Sequence, residues 1–472
     1  MRAPVFYSGQ SARTGRIGTR WTMPESRELK LGAFLPATGH HVAAWRHPSA
    51  HADGGISLEH YVRLAKTAER AKLDAVFLAD GLAAAFFAGA EGKTAYAGSF
   101  EPVTLFSALA AVTERIGFIA TASTTYEDPY LLARKFASLD HISHGRAGWN
   151  IVTTGSPHAA GNFGLDAHPQ HALRYERANE FYDVVTGLWD SWEDEAFVRD
   201  KAKGVFYDPT RAHQLDYQGK YLKVRGPLNV PRPPQGYPVI VQAGSSEDGK
   251  EFAARTAEVI FTAQQTLADA QAFYRDVKGR LQKYGRRAEA LKVMPGIFPV
   301  LGRTLSEAQA KYQELQDLIL PEVGLALLSG LAGDFDLSRF PVDGPLPDLP
   351  ETNNQKSRQA LMYDIAKKRH FTIRDLYLWV AGARGHWTLV GTPAQIADEL
   401  QAWFENEGAD GFNLMPPVLP TGLDDIVELL VPELRRRGLF RSEYRGKTLR
   451  DHLGLERPVN RLGLERRAAS AE

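Results

Sequence analysis

The sequence predicts an α/β protein with the architecture of a closed (β/α)8 barrel, or TIM barrel. Short apolar runs alternate with helical patterns, and most connections between them are short. This alternation is typical of a parallel sheet covered by helices. Because eight strand candidates are each followed by a helix or a helical insertion, a closed barrel is favoured over an open doubly wound sheet. The predicted strands are 29–36, 73–79, 116–122, 145–152, 238–243, 258–262, 291–300 and 411–415.

Local signals support the elements in the first half of the chain. The apolar run 29–36 ends at a proline, and Ser57 offers an N-cap to the helix that follows. The run 73–79 is almost wholly apolar, which suits a strand buried on both faces. Asp80 comes directly after it. Further helices are predicted near 102–113 and 129–139, each leading into the next strand.

The same pattern resumes in the second half. A helix is expected to begin near Ser246, after the strand 238–243. Thr266 can cap a helix over 267–284, and Gly285 lies just past its end. A helix over 423–437 closes the pattern after the last strand.

The strand pattern also defines the domain organisation that we expect. Residues 29–454 form one barrel domain, preceded by a flexible lead over 1–28 and followed by a disordered tail over 455–472. Two long insertions interrupt the barrel, 155–236 after the fourth strand and 305–385 after the seventh. Long connections inside a compact fold are usually lids or oligomer contacts.

Composition excludes several classes of function. The chain has no cysteine among its 472 residues, so zinc–thiolate sites, iron–sulfur clusters and cysteine nucleophiles are ruled out. Lys plus Arg number 56 and Asp plus Glu also number 56. This balance gives no long-range field for nucleic acid or an anionic membrane, and we expect neither as a partner. Without an apolar segment of the roughly 18 residues that a membrane span needs, or a signal-like N-terminus, the expected compartment is the cytoplasm.

Polar side chains follow the predicted strands at their carboxyl ends, where barrel enzymes carry their active sites. The set is rich in hydroxyls and amides, which suits holding a polar cofactor better than hydrolysing a bond. His40, His41 and His47 lie close together, but the later strand ends supply no further metal ligands. We therefore predict no metal site. The residues at these ends are Thr38, Gly39, His40, His41, Asp80, 121–125, 150–154, Ser245, Ser246, Thr262, Pro416 and Pro417.

The segment GSSEDGK at 244–250 follows a strand and opens a helix, as phosphate-binding loops do. Glu251 stands where Ser or Thr would ligate magnesium, so a nucleotide triphosphatase is not supported. Free backbone N–H groups and two hydroxyls at a helix start favour a phosphate. From this segment alone, an ordinary helix cap at Ser245 or Ser246 is an equal alternative.

The pair His171 and Tyr175 lies in the first insertion. In a helix these residues are one turn apart on one face, where they could close over a phosphate or a ribityl chain. The alternative is that both are surface residues of a helix that faces solvent. A dinucleotide fingerprint and a nucleophile elbow are both absent from the sequence.

Several long segments, in order over nearly the whole barrel, resemble one known family. They are GHHVAAWRHP at 39–48, LDAVFLADGLA at 73–83, ATASTTYEDPYLLARKFASLDHISHGRAGWNIVTT at 120–154, HALRYERANEFYD at 171–183, VRGPLNVPRPPQGYPVIVQAGSSEDG at 224–249, VGTPAQIADEL at 390–400 and ADGFNLMPPVLP at 409–420. The chain resembles the flavin-dependent monooxygenases of the bacterial luciferase-like superfamily. Its branch is that of nitrilotriacetate monooxygenase component A, dibenzothiophene-sulfone monooxygenase and long-chain alkane monooxygenase.

The resemblance implies a (β/α)8 barrel that binds reduced FMN delivered by a separate NAD(P)H-dependent flavin reductase. The reduced flavin then reacts with O2, and a flavin (hydro)peroxide inserts one oxygen atom into an N, S or C centre of a small organic substrate. The family also implies a homodimer or homotetramer. We expect the long insertions to act as lids, because a flavin peroxide survives only where water is excluded.

The resemblance also implies roles for individual residues. Asp80 and Thr121 border the flavin ring, and the phosphate lies after the fifth strand. His40 matches an active-site histidine of the sulfone branch and is expected to hydrogen-bond the peroxide or the substrate. Leu331 and Ala85 stand where some relatives have a histidine and a tyrosine. The cofactor contacts implied are Asp80, Thr121, His171, Tyr175, Ser245 and Ser246, with Asn150 and Thr154 as further contacts.

Two other functions remain open at this point. One is a dehydrogenase of the same superfamily that uses a deazaflavin and transfers hydride. The long branch-specific segments favour the monooxygenase over it. The other is a flavin-binding protein that has lost turnover, although His40 and Asp80 are both retained.

Overall fold

The computed structural model describes residues 27–84, 88–353 and 356–464. Its strands are β1 (Lys30–Phe34), β2 (Ala75–Leu78), β3 (Gly117–Ser123), β4 (Ala147–Val152), β5 (Tyr217–Gln218), β6 (Lys223–Val224), β7 (Val239–Gln242), β8 (Val259–Thr262), β9 (Lys292–Leu301), β10 (Trp387–Gly391) and β11 (Gly411–Leu414). The predicted lead lies almost wholly outside the described residues, as does Ala85.

The helices alternate with these strands and are bounded as follows: α1 (Leu58–Arg70), α2 (Pro102–Ala110), α3 (Pro129–Ile142), α4 (His171–Trp189), α5 (Glu247–Thr256), α6 (Leu267–Arg280), α7 (Leu305–Asp317), α8 (Pro321–Leu331), α9 (Lys356–Arg369), α10 (Ile373–Ala383), α11 (Pro393–Glu405), α12 (Thr421–Asp425), α13 (Val431–Arg436) and α14 (Leu449–Leu453). A π-helical turn joins α12 to α13, so the predicted closing helix is one irregular helical segment. Ser57 and Thr266 cap α1 and α6 as predicted.

Eight strands form a closed parallel barrel, which confirms the predicted fold class. The order around the barrel is β1, β2, β3, β4, β7, β8, β9 and β11, and β11 pairs with β1 to close it. All of these pairings are parallel, so every strand ends at the same rim. We call this rim, with the loops that follow it, the mouth of the barrel.

Three strands were missing from the prediction: β5 and β6, which form a hairpin in the first insertion, and β10. β10 pairs in parallel with the second half of β9, from Ile297 to Leu301. The first half of β9 pairs with β8 and β11 inside the barrel. Because β9 has ten residues, it is long enough to serve both the barrel and this extension above the mouth.

The barrel interior is a packed apolar core that forms the floor of the mouth. Phe34, Phe77 and Phe261 meet there, with ring centroids 4.6 Å apart for Phe34 and Phe77 and 5.9 Å apart for the other two pairs. The outer layer of helices packs on the opposite faces of the strands, as the apolar strand sequences require. The floor therefore closes the barrel below the polar rim.

The two insertions meet above the mouth. The first, 155–236, contains α4 and the hairpin of β5 and β6, and the second, 305–385, contains α7 to α10. Asn353 of the second insertion accepts a hydrogen bond from the backbone N–H of His171 at 3.2 Å. Arg174 also donates to the Asn353 carbonyl at 3.1 Å. These contacts join the insertions into a roof over one side of the mouth.

The predicted disordered tail is wrong for residues 455–464. Arg457 and Arg461 bind the carboxylates of Asp194 and Asp190, and Asn460 donates to the Asp190 carbonyl at 3.0 Å. The charge pattern of the tail is thus complementary to the end of α4. Residues 465–472 lie outside the described part of the chain. Within that part, no helix is both long and apolar enough to cross a membrane.

The buried ion pair of Asp74 and Arg441 gives a test of the fold. Its atoms are 2.7 Å apart, and Asp74 also accepts from the backbone of Leu31 at 2.6 Å. Asp74→Ala leaves the guanidinium buried without its carboxylate, and we expect it to lower the free energy of unfolding by about 3–5 kcal/mol. The control is Glu456→Ala, which removes the exposed ion pair with Arg287. In chemical denaturation it should lower the free energy of unfolding by less than about 1 kcal/mol. Equal losses of stability in the two variants would show that the buried pair of Asp74 and Arg441 contributes no more to the fold than an exposed pair.

Candidate active site

All nine predicted site residues lie at the mouth, on the strand ends or on the loops and helix that follow them. The structure therefore places them at one end of the barrel, although they come from separate parts of the chain. His40 and Asp80 follow β1 and β2, Thr121 and Asn150 lie in β3 and β4, Thr154 follows β4, His171 and Tyr175 lie in the first turns of α4, and Ser245 and Ser246 lie between β7 and α5.

Thr121 and Asn150 form a buried polar pair on neighbouring strands, where they are direct register partners. The Thr121 hydroxyl donates to the Leu78 carbonyl at 2.7 Å and accepts from Asn150 Nδ2 at 2.8 Å. The Asn150 Oδ1 atom is buried and has no hydrogen-bond partner among the described residues. Because an unpaired buried acceptor is costly, this atom indicates a site for a ligand donor.

Thr154 lies in a strained backbone conformation, with φ at 52°. Its hydroxyl is 2.7 Å from that of Ser123, and its carbonyl accepts from Arg174 at 2.7 Å. These contacts fix the chain as it leaves β4.

Asp80 is a partly buried carboxyl group beside the mouth. Burial raises its pKa, and the nearby Glu101 and Glu127 raise it further, while a hydrogen bond from the Gly81 backbone opposes them. The carboxyl group therefore takes up a proton more readily than an exposed aspartate.

The loop after β7 packs closely around the Tyr175 hydroxyl. An added Cβ on Gly244 would lie 2.8 Å from the Tyr175 hydroxyl oxygen, and one on Gly249 would lie 3.0 Å from it. Burial raises the pKa of Tyr175, whereas hydrogen bonds with Ser246 and Thr153 oppose that shift. A side chain at either position would therefore clash with the Tyr175 hydroxyl, which packs directly against the loop backbone.

The helix-cap alternative is observed for Ser246, whereas a phosphate at the serine pair stays a prediction. Ser246 is the N-cap of α5, and its side chain accepts from the Gly249 N–H at 3.2 Å. Ser245 instead points along the rim, 3.4 Å from the hydroxyl of Thr262. His171 Nδ1 lies 3.2 Å from Asp248 of the same helix start, and its ring is 5.0 Å from that of Tyr175. His171 and Tyr175 therefore face the loop rather than open solvent.

His40 lies in the mouth but has both ring nitrogens engaged. Nε2 donates to the Phe34 carbonyl at 3.0 Å, and Nδ1 accepts from Arg384 at 2.7 Å. Burial lowers its pKa well below the usual value, and Arg384 lowers it further. In this structure the neutral ring holds Arg384, so the predicted bond from His40 to a peroxide or a substrate requires that one of these partners be released.

Sequence reasoning missed the residues that surround His40. His386 stacks on Phe261 with ring centroids 4.7 Å apart, and its Nε2 accepts from Arg358 at 2.6 Å. The sequence signal that could have found His386 is Gly296, because a glycine inside an apolar strand often marks the close approach of another group. In the structure, an added Cβ at Gly296 would lie 2.5 Å from His386 Nδ1. Within the ranges that the structure covers, no group of three His, Asp or Glu side chains converges as metal ligands.

A closed parallel barrel with polar side chains at the carboxyl ends of its strands has the arrangement in which barrel enzymes carry their active sites. The sequence model of the family described as "Luciferase-like monooxygenase" matches residues 38–411. The chain belongs to this family and is therefore a flavin monooxygenase by class. The family predicted from the sequence is confirmed.

Curated relatives match along almost the whole chain. N-acetyl-S-(2-succino)cysteine monooxygenase of Bacillus subtilis (strain 168) is 54% identical over 93% of this chain and 99% of its own. Nitrilotriacetate monooxygenase component A of Aminobacter aminovorans is 52% identical over 93% and 99%. Among solved structures, riboflavin lyase (RcaE) with modified FMN and riboflavin aligns with a TM-score of 0.83, at 35% identity over 92% of this chain and 97% of that one.

A pair of glycine variants tests how closely the loop packs. Gly249 and Gly279 both lie in helices, where alanine is favoured by about 1 kcal/mol. A Cβ on Gly249 would lie 2.9 Å from Gly244 Cα, whereas one on Gly279 meets nothing within 4 Å. We expect Gly249→Ala to destabilise the protein by about 1–3 kcal/mol in chemical denaturation. Gly279→Ala should stabilise it, and stabilisation by both would show that the loop is loosely packed.

Proposed function

We propose that this protein is an FMNH2-dependent monooxygenase that inserts one oxygen atom from O2 into an N, S or C centre of a small organic substrate. A separate NAD(P)H:flavin reductase supplies the reduced FMN. The observation that carries the proposal is the buried, unpaired Asn150 Oδ1 at the same rim as the glycine-containing loop at the start of α5, which packs against Tyr175. One ligand with a ring N–H at one end and a phosphate at the other satisfies both.

The loop fits the phosphate of FMN. The start of α5 presents backbone N–H groups toward the mouth side of the loop, and a helix start favours an anion. Ser245 and Tyr175 add hydroxyl donors, and Gly244 and Gly249 let the loop backbone pack directly against the Tyr175 hydroxyl. His171 completes this end from the first insertion.

The strand ends fit the flavin ring. Asn150 Oδ1 is an acceptor for a ring N–H, and its orientation is fixed because Nδ2 donates to Thr121. Asp80 lies at the neighbouring strand end, where its raised pKa suits a carboxyl group that hydrogen-bonds the ring. Thr154 and Ser123 hold the backbone beside this part of the rim.

Reduced FMN, when bound, supplies activation of O2 and two electrons. The balance is substrate plus O2 plus FMNH2, giving oxygenated substrate, FMN and water. The chain's own part is to position the ring and to exclude water. The roof formed by the two insertions, with Asn353 against His171 and Arg174, serves the second purpose.

A reductase partner is supported by the name "component A" of the nitrilotriacetate relative, which indicates a second component in that system. We extend this arrangement to the present chain, together with a cytoplasmic location and a homodimeric or homotetrameric state.

The test is a coupled assay of the purified full chain with a flavin reductase, NADH and FMN. We expect reduced FMN to bind at micromolar concentration and O2 consumption to rise above the uncoupled rate when a substrate is present. A protein that binds FMN without this rise is a flavin-binding protein. Binding of a deazaflavin with hydride transfer and no O2 uptake would instead establish the dehydrogenase.

Asn150→Leu tests the ring end of the site. The variant removes an unpaired buried acceptor as well as the bond to Thr121, so we expect the stability of the free protein to change by no more than about 1 kcal/mol. We expect the Kd for reduced FMN to rise by about tenfold or more. Equilibrium denaturation and titration of flavin fluorescence measure the two effects.

The matched control is Asn413→Leu. Asn413 Oδ1 is also buried and unpaired within the described residues, but it lies beside Gly32, two residues before the carboxyl end of β1. FMN affinity should stay unchanged in this control. An equal loss in both variants would mean that Asn150 acts only through the packing of the barrel.

A further inference from the structure

A cluster of basic side chains lies at the mouth between the loop after β1 and the end of β8. It consists of Arg358, Arg384, His40 and His386, and we call it the arginine cluster. Arg384 Nη2 donates to His40 Nδ1 at 2.7 Å, and Arg358 Nη2 donates to His386 Nε2 at 2.6 Å. Arg358 also donates to the Arg384 carbonyl at 2.9 Å. The two arginines are therefore bound to each other and to the two histidines.

The positive charge of this cluster is not neutralised. No ion pair joins Arg358 or Arg384 to a carboxylate in the part of the chain that the structure describes. Burial lowers the pKa of Arg358 to about 10, with a further contribution from Arg384. Burial also lowers the pKa of His386 well below its usual value. Both histidines are therefore neutral, and the charge resides on the two arginines.

The backbone at Arg384 supports a specific role for its side chain. Arg384 is the C-cap of α10 and has φ at 49°, in the left-handed region where glycine is usual. An arginine in this conformation costs conformational energy that a glycine at the same helix end would avoid. The Arg384 side chain reaches His40 and lies 3.2 Å from the Tyr96 hydroxyl.

The cluster is next to the proposed cofactor site. His386 stacks on Phe261, and His40 packs edge-on against Phe34 at 4.4 Å. Both phenylalanines belong to the apolar floor of the mouth. Thr262, the neighbour of Phe261, lies 3.4 Å from Ser245 of the phosphate loop. A ligand held by the arginines would thus share one floor with the flavin.

We propose that Arg358 and Arg384 bind a carboxylate of the substrate, so the enzyme selects small organic molecules that carry carboxylate groups. Guanidinium groups bind carboxylates through paired, charge-assisted hydrogen bonds, and this binding restores the missing negative charge. The apolar floor then receives the part of the molecule that is oxidised. This inference names the substrate class of the proposed monooxygenase and rests on that function.

The test is isothermal titration of the full chain with three probes, nitrilotriacetate, thiodiglycolate and N-acetyl-S-(2-succino)cysteine. The methyl esters of the same compounds serve as neutral partners. We expect at least one acid to bind, and its ester to bind at least about tenfold more weakly. Binding of none of the acids, or equal binding of acid and ester, would overturn the proposal.

Variants assign the binding to the cluster. Arg384→Asn keeps a residue that tolerates the left-handed backbone, and Arg358→Gln keeps a hydrogen-bond donor. Each should weaken acid binding by roughly 10- to 100-fold, because a charge-assisted bond is lost. The control is Arg339→Asn, an exposed arginine of the same insertion, which should leave the Kd unchanged. Equal effects in all three variants would contradict the assignment.

FMN titration of the same proteins separates this inference from the proposed function. We expect the wild type and both cluster variants to bind reduced FMN with the same affinity, since the arginines bond to His40, His386, Tyr96 and the Arg384 carbonyl and not to the residues assigned to FMN. FMN binding without acid binding defeats the carboxylate proposal and leaves the monooxygenase intact. Acid binding without FMN binding defeats the proposed function instead. Thermal unfolding of each variant confirms that it is folded.

Discussion

Closure of a parallel barrel is the constraint on which the rest of this structure depends. The pairings that close the barrel, β11 with β1 and β8 with β9, are parallel like the others. All eight strands therefore run in the same direction and end at the same rim. Side chains that are distant in the chain then converge without any direct sequence signal between them. The aromatic floor fills the barrel interior below the polar rim.

The two sides of the rim carry different polar groups. On the side of β3 and β4, a fixed amide carries an unpaired oxygen, and the neighbouring strand β7 leads into a glycine-containing loop at a helix start. On the side of β1 and β9, two arginines carry charge without a carboxylate partner. Both features cost stability in the free protein. A bound cofactor and a bound anion would relieve these costs, which links the strain in the structure to its function.

The two insertions bring further side chains to the loops at the mouth of the barrel. The first brings His171 and Tyr175 to the loop after β7, and the second brings Arg384 to His40 in the loop after β1. Their contact through Asn353 covers part of the mouth. In the function that we propose, the barrel strands hold the cofactor and the insertions contribute to the choice of substrate.

The sequence by itself determined the eight barrel strands and the residues at their ends, because burial on both faces leaves continuous apolar runs that stop at polar residues. It also identified the loop at 244–250 and the family. Only the tertiary structure brought Arg384 to His40, which is 344 positions away in the chain. It alone placed β10 beside β9 and ordered the tail as far as Leu464. These contacts join segments with no shared periodicity, so local patterns carry no information about which partners meet.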